Sequence, residues 1–157
     1  MKALTLYQPW ATLIAIGAKK FETRSWSTSY RGPLAIHASN ERKYIDMRSK
    51  HYVCDQEPFY SVLMDHYTTS LRVGFLEGNF QSVLPRGVIV ATCELVDCAK
   101  IEIGLLLKRQ ERLFGDYTPG RFMWFLEDLQ RLEKPIPAKG AMGLWEWNED
   151  YNANSKL

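Results

Sequence analysis

The chain is expected to fold as α+β, with a small, strongly curved β-sheet or barrel carrying peripheral helices. Several short apolar stretches read as strands: Leu34 to Ala38 sets Leu34, Ile36 and Ala38 on one side and His37 on the other, and Val88 to Val96 carries Val88, Val90, Thr92 and Glu94 on a shared face. Two or three helical segments stand between these strands in mixed order. The length of 157 residues fits one domain, or one domain with an insertion, and is enough to bury a core.

Lys2 to Tyr7 reads as the first strand. Pro9 favours a helix start, and Trp10, Leu13, Ile14 and Ile16 give that helix an apolar face. Gly17 stops it, because glycine tolerates the left-handed geometry that closes a helix. A strand from about Lys20 to Trp26 follows, then a turn at Tyr30-Arg31-Gly32-Pro33 and a strand over Leu34 to Ala38. Ser39 or Asn40 caps a helix running to about His51, and a second helix covers Pro58 to Tyr67. Thr68 to Leu84 carries little pattern and reads as a long loop. Pro85-Arg86-Gly87 is a turn into the strongest strand, Val88 to Val96. A helix over Glu102 to Arg112, a strand over Phe122 to Leu126 and a closing strand over Leu144 to Trp147 complete the order. The domain is placed at residues 1–150, with 40–84 as a helical and loop insertion and 151–157 as a frayed tail.

The net charge of +2 hides an asymmetry: residues 1–50 carry nine Lys/Arg against three Asp/Glu, and the remainder eleven against fifteen. A basic first third suits an anionic partner. Cys54, Cys93 and Cys98 form an odd set without a C-x-x-C, and His37, His51 and His66 show no ligand spacing with them. Neither a disulfide framework nor a metal site is expected, and no cofactor motif is present. The absence of a signal peptide, a transmembrane stretch or a lipidation motif sets a cytoplasmic, reducing compartment as the expectation.

The most informative run is Gly17-Ala18-Lys19-Lys20-Phe21-Glu22-Thr23-Arg24. On an extended strand Phe21 and Thr23 point to one face, and Lys20, Glu22, Arg24 and Trp26 to the other. A charged row ending in an aromatic suits a planar polar or phosphorylated ligand. Arg24 can fork onto phosphate or a base edge, and Glu22 can accept from an exocyclic amine. Lys19 can act as a point charge, or as a base if burial lowers its pKa.

These residues resemble the ASCH (activating signal cointegrator homology) domain, a branch of the PUA-like β-barrel superfamily. The signature G-x-K-x-x-E-x-R is met by Gly17, Lys19, Glu22 and Arg24. Leu4 to Ala11, Trp26, Tyr30 to Gly32, Pro85 to Gly87, Cys93 to Cys98 and Gly140 to Trp147 extend the match to roughly two-thirds of the chain. The resemblance implies a cleft lined by the signature residues that binds RNA or DNA. Some small members hydrolyse N4-acylated cytidines with a lysine, a threonine and a glutamate. Here Lys19 supplies the lysine, Glu22 stands in the place of the threonine, and Glu94 is the candidate glutamate.

Other candidates are less determined by pattern. Gln8 and Trp10 stand at a helix start, where free amides favour anions, although Trp10 fits a core position equally well. Trp26 shares the charged face and suits stacking. His37, Ser39 and Asn40 continue the face opposite the apolar side, and Arg31 and Arg86 are turn arginines. The leading reading is a nucleic-acid-binding domain with a basic cleft, RNA ahead of DNA. The runner-up is a hydrolase of modified nucleosides, or a ribonuclease, with Lys19, Glu22 and Glu94 as its catalytic set. A third reading gives the 40–84 insertion a protein partner.

Overall fold

The structure, a computed structural model, describes residues 1–70 and 80–148. Its elements are β1 (Lys2–Leu6), α1 (Trp10–Ala15), β2 (Phe21–Arg24), β3 (Gly32–Ala38), α2 (Phe59–Ser70), α3 (Phe80–Val83), β4 (Val88–Lys100), α4 (Arg109–Phe114), β5 (Phe122–Pro137) and β6 (Leu144–Glu146). The strands form one curled six-stranded sheet in the order β2-β5-β4-β3-β1-β6. β1 and β3 run parallel, with Leu4 opposite Ile36, and the remaining neighbours are antiparallel. The expected α+β class with a small curved sheet holds.

Three apolar clusters account for the packing. Leu4, Leu6, Leu34, Ile36, Val90, Leu95 and Trp124 of the sheet meet Ala11 and Ile14 of α1. Leu13, on another side of the same helix, joins Ile45, Cys54, Phe59, Leu63, Phe80, Leu84 and Phe114. α1 is therefore apolar nearly all round because it is covered on both sides. Ala3, Ala35, Ile89 and Trp147 form a smaller cluster.

The turn after α1 sets up the site. Gly17 takes φ +75°, its amide bonds to Ile14 O, and the Ala18 amide reaches back to Leu13 O. That pair of bonds is a Schellman closure, and it delivers Lys19 to the mouth of β2.

Several expectations are corrected. Residues 40–51 form turns and no helix: Ser39 Oγ accepts the Glu41 amide, Asp46 Oδ1 the Arg48 amide and Ser49 Oγ the His51 amide, and such local bonds compete with a helical ladder. The helix expected from Glu102 begins only at Arg109, after Gly104 at φ +87°. α2 runs on to Ser70 and α3 starts at Phe80, within the span read as loop; residues 71–79 and the tail 151–157 lie outside the described residues. β4 extends past Val96 to Lys100, and β5 continues far beyond Leu126. Three register shifts break the β4–β5 pairing, and Asp128 takes φ 48° beside one of them, as expected where bulges bend a long ribbon. β2 covers only Phe122 to Phe125 of β5, so Pro135 and Pro137 fall where that strand has an open side. Among the described residues no helix is long and apolar enough to cross a membrane.

Candidate functional site

Where β1 ends and β2 begins, the sheet opens into a cavity of about 530 Å³. Lys19, Glu22, Arg24 and Arg121 give it charge, and Tyr7, Trp10, Tyr44 and Phe59 give it an aromatic wall. The rings are mutually braced: Trp10 meets Tyr44 edge-on at 4.8 Å and Phe59 at 5.8 Å, and Tyr7 lies 5.3 Å from Tyr44. The Trp10 indole N–H donates to Phe114 O at 2.7 Å, which fixes its ring plane. The volume falls in the range of small-molecule sites.

Lys19 is only 2% exposed. Its ammonium donates to Phe21 O at 2.5 Å and to Tyr117 Oη at 3.5 Å, and stands 3.6 Å from Glu111 Oε1. Burial pushes this amine below the ordinary lysine value, while the carboxylates of Glu22 and Glu111 pull it partly back. Glu111 is itself buried and fully employed. It accepts the Lys20 amide at 2.8 Å, the Phe21 amide at 3.4 Å and the Tyr117 hydroxyl at 2.5 Å. Burial, and then the bond to Glu111, pushes the Tyr117 phenol well above the tyrosine range.

Glu22, 7% exposed, pairs with Arg24, whose Nε lies 3.1 Å from Glu22 Oε1. The angle leaves the Arg24 Nε–H without a hydrogen-bond acceptor, while Nη2 donates to Thr5 O at 2.9 Å. Arg121 pairs with Asp116 at 3.3 Å and reaches Thr23 O. Each cation of the cavity thus has a carboxylate beside it. The site is polar and close to charge-balanced.

Residues 4–136 match the ASCH domain family. The chain belongs to that family. It is similar to activating signal cointegrator 1 of mouse, 26% identical over 156 residues, and to activating signal cointegrator 1 of human, 25% identical over the same length. Those matches take in 98% of this chain and 23% of each relative, so the chain spans about a quarter of the length of the curated relatives it matches. The curled sheet of this ASCH domain is the PUA-like architecture.

The side chains of the ASCH signature converge, but the charged row expected along β2 does so only in part. Lys19, Glu22 and Arg24 meet in one cavity with Trp10. Lys20 does not join them: it precedes β2 and its ammonium lies over Gly17. Trp26 lies beyond the end of β2, so strand alternation no longer governs it, and it packs edge-on against Trp124 at 4.7 Å. Gln8 is buried and structural, its Oε1 accepting the Thr12 amide of α1 and its Nε2 donating to Pro85 O. Arg31 pairs with Asp97 at 3.0 Å on the surface. Glu94 sits opposite Pro33 and Glu127, outside the residues that line the cavity. His37, Ser39 and Asn40 line a different cavity, which shares Thr5 with this one.

The carboxylate that touches Lys19 is Glu111, from a stretch in which the sequence carries almost no family pattern. Tyr117 and Arg121 come from the same arm. Gly115 explains how the arm fits: a Cβ there would lie 2.8 Å from the Tyr117 ring and 3.1 Å from Lys19 Nζ. A glycine between Phe114 and Asp116 is the one available signal of a close approach.

Proposed function

We propose that this ASCH domain binds nucleic acid and seats one unstacked base in the Lys19–Glu22–Arg24 cavity. The observation that carries this reading is the pairing of each cavity cation with a carboxylate beside an aromatic wall. A site meant for phosphate alone gains nothing from Glu22, whereas a base presents donors and acceptors at its edge and apolar faces. Glu22 can accept from an exocyclic amine, and the unsatisfied Arg24 Nε–H can donate to a ring nitrogen or carbonyl. Single-stranded loops and ends offer such bases, and stacking on tryptophan or tyrosine contributes about 1–3 kcal/mol each. The family membership supports the same reading.

Titration of a short RNA and a short single-stranded DNA at two salt concentrations tests it. Binding should weaken with salt, and Arg24→Met should lower affinity at least about tenfold, the loss of one good edge contact. No binding by the wild type even at low salt would overturn the proposal.

One observation favours a hydrolytic second reading. A buried lysine with a lowered pKa beside a carboxylate is a suitable base or nucleophile, and Lys19 has that setting. Turnover of N4-acetylcytidine by the wild type, abolished in Lys19→Ala, would establish it. No product from the nucleoside or from RNA would retire it.

A further inference from the structure

A second cavity, of about 810 Å³, meets the first at Thr5. The Thr5 carbonyl accepts from Arg24 in the first, and its Oγ1 lies 3.2 Å from His37 Nδ1 in the second. His37, Ser39, Asn40, Arg86, Lys139 and Gly140 are among the residues lining the second cavity.

Its electrostatics are the reverse of the first. Arg86 Nη1 donates to Asn40 O at 3.2 Å, its Nε is buried without an acceptor, and Arg42 lies near enough to act on it as a like charge. Among the described residues, neither Arg86, Arg42 nor Lys139 has a carboxylate within ion-pair distance, although the exposed Glu41 also borders the space. A buried guanidinium N–H without a partner carries a desolvation cost that an anionic ligand would relieve.

The histidine is not available as a further charge. Trp145 Nε1 donates to Thr5 Oγ1 at 3.1 Å, and His37 Nε2 lies 3.0 Å from Ala138 O. Ala138 O can only accept, so Nε2 carries the proton and Nδ1 accepts from the Thr5 hydroxyl. His37 is neutral and fully bonded, and Arg86 and Lys139 line the same cavity.

We propose that this second cavity is a phosphate subsite, which holds a backbone phosphodiester of the same strand whose base occupies the first cavity, with Arg86 as the forked donor and Lys139 as the point charge. This rests on the nucleic-acid reading above and divides its labour: a balanced compartment reads the base, and an unbalanced one holds the strand.

The test uses the whole chain with nitrogen-15-labelled arginine, inorganic phosphate as one probe and a single-stranded hexanucleotide as the other. Both probes should move the Arg86 Nε–H resonance. In Arg86→Gln/Lys139→Gln the slope of log affinity against log salt should fall by about 1.4, two contacts at the single-strand value, with the dispersion of the backbone spectrum unchanged. Arg24→Met should weaken the hexanucleotide but leave the phosphate-induced shift intact. Hexanucleotide binding with an unaltered slope and a silent Arg86 resonance overturns the phosphate subsite and leaves the base reading standing. A phosphate-induced shift without hexanucleotide binding by the wild type assigns the cavity to a free phosphate and overturns the strand assignment.

Discussion

Glu111 accepts the Lys20 amide at 2.8 Å and so fastens α4 to the start of β2. The same carboxylate holds the Tyr117 hydroxyl and faces the Lys19 ammonium. Glu111→Ala therefore strips a buried cation of its partner and leaves two amides and a phenol without their acceptor. The expected cost is about 3–5 kcal/mol, read as a lower urea midpoint with an unchanged slope. Glu111→Gln keeps the acceptor oxygen and should cost less. A loss below about 1 kcal/mol for the alanine variant would contradict this account.

Gly115→Ala tests how tightly the arm is fitted. The added Cβ must displace Tyr117 or Lys19, so stability should fall by about 1–3 kcal/mol. Oligonucleotide affinity should fall with it, because the displaced ammonium lines the cavity. Wild-type affinity in this variant would mean that the position of Lys19 is immaterial to binding.

Gly17→Ala tests the turn that delivers Lys19. The left-handed φ of +75° should make alanine cost about 1–2 kcal/mol, measured by thermal or chemical denaturation. An unchanged midpoint would show that the turn relaxes freely.

The Tyr44 ring separates structural from binding roles in the aromatic wall. If a base stacks there, Tyr44→Ala should weaken oligonucleotide binding by about 1–3 kcal/mol while Tyr44→Phe stays near wild type. Equal affinities for all three proteins would place the base elsewhere.

His37 gives the pH dependence a sign. Burial depresses its pKa below 6.5, and the bond to Ala138 O offsets part of that. The folded state then favours the neutral ring, so its contribution is complete above about 6.5 and is lost as pH falls below it. Burial also lowers His66, which acts in the same direction. The comparison that isolates His37 is the wild type against His37→Asn, whose thermal midpoint should depend less steeply on acid. Identical profiles would refute the assignment.

Much of the architecture is legible in the residues, and the reasons differ by element. Leu34 to Ala38 is a short apolar run just after a turn, which is enough to place β3, and Gly17 marks the end of α1 because a positive φ selects glycine. The signature delivers Lys19, Glu22 and Arg24 because all three come from one short stretch of backbone. Alternation misplaces Lys20 and Trp26 because β2 is only four residues long, and a period says nothing beyond the ends of its strand. Glu111 is invisible for a different reason: its role exists only when α4 folds against β2, and no local pattern encodes a contact between segments so far apart. The turns at 40–51 show the opposite failure, where caps that could begin a helix instead close small rings with the neighbouring amides.

The walls of the first cavity have separate origins: the sheet and α1 supply one part, residues 44–59 add Tyr44 and Phe59, and the 109–121 arm supplies Phe114, Gly115, Asp116 and Arg121. Divergence can therefore act on the arm while the scaffold stays constant. Relatives with the same signature need not share a ligand, and grafting one arm onto another framework becomes a route to altered selectivity.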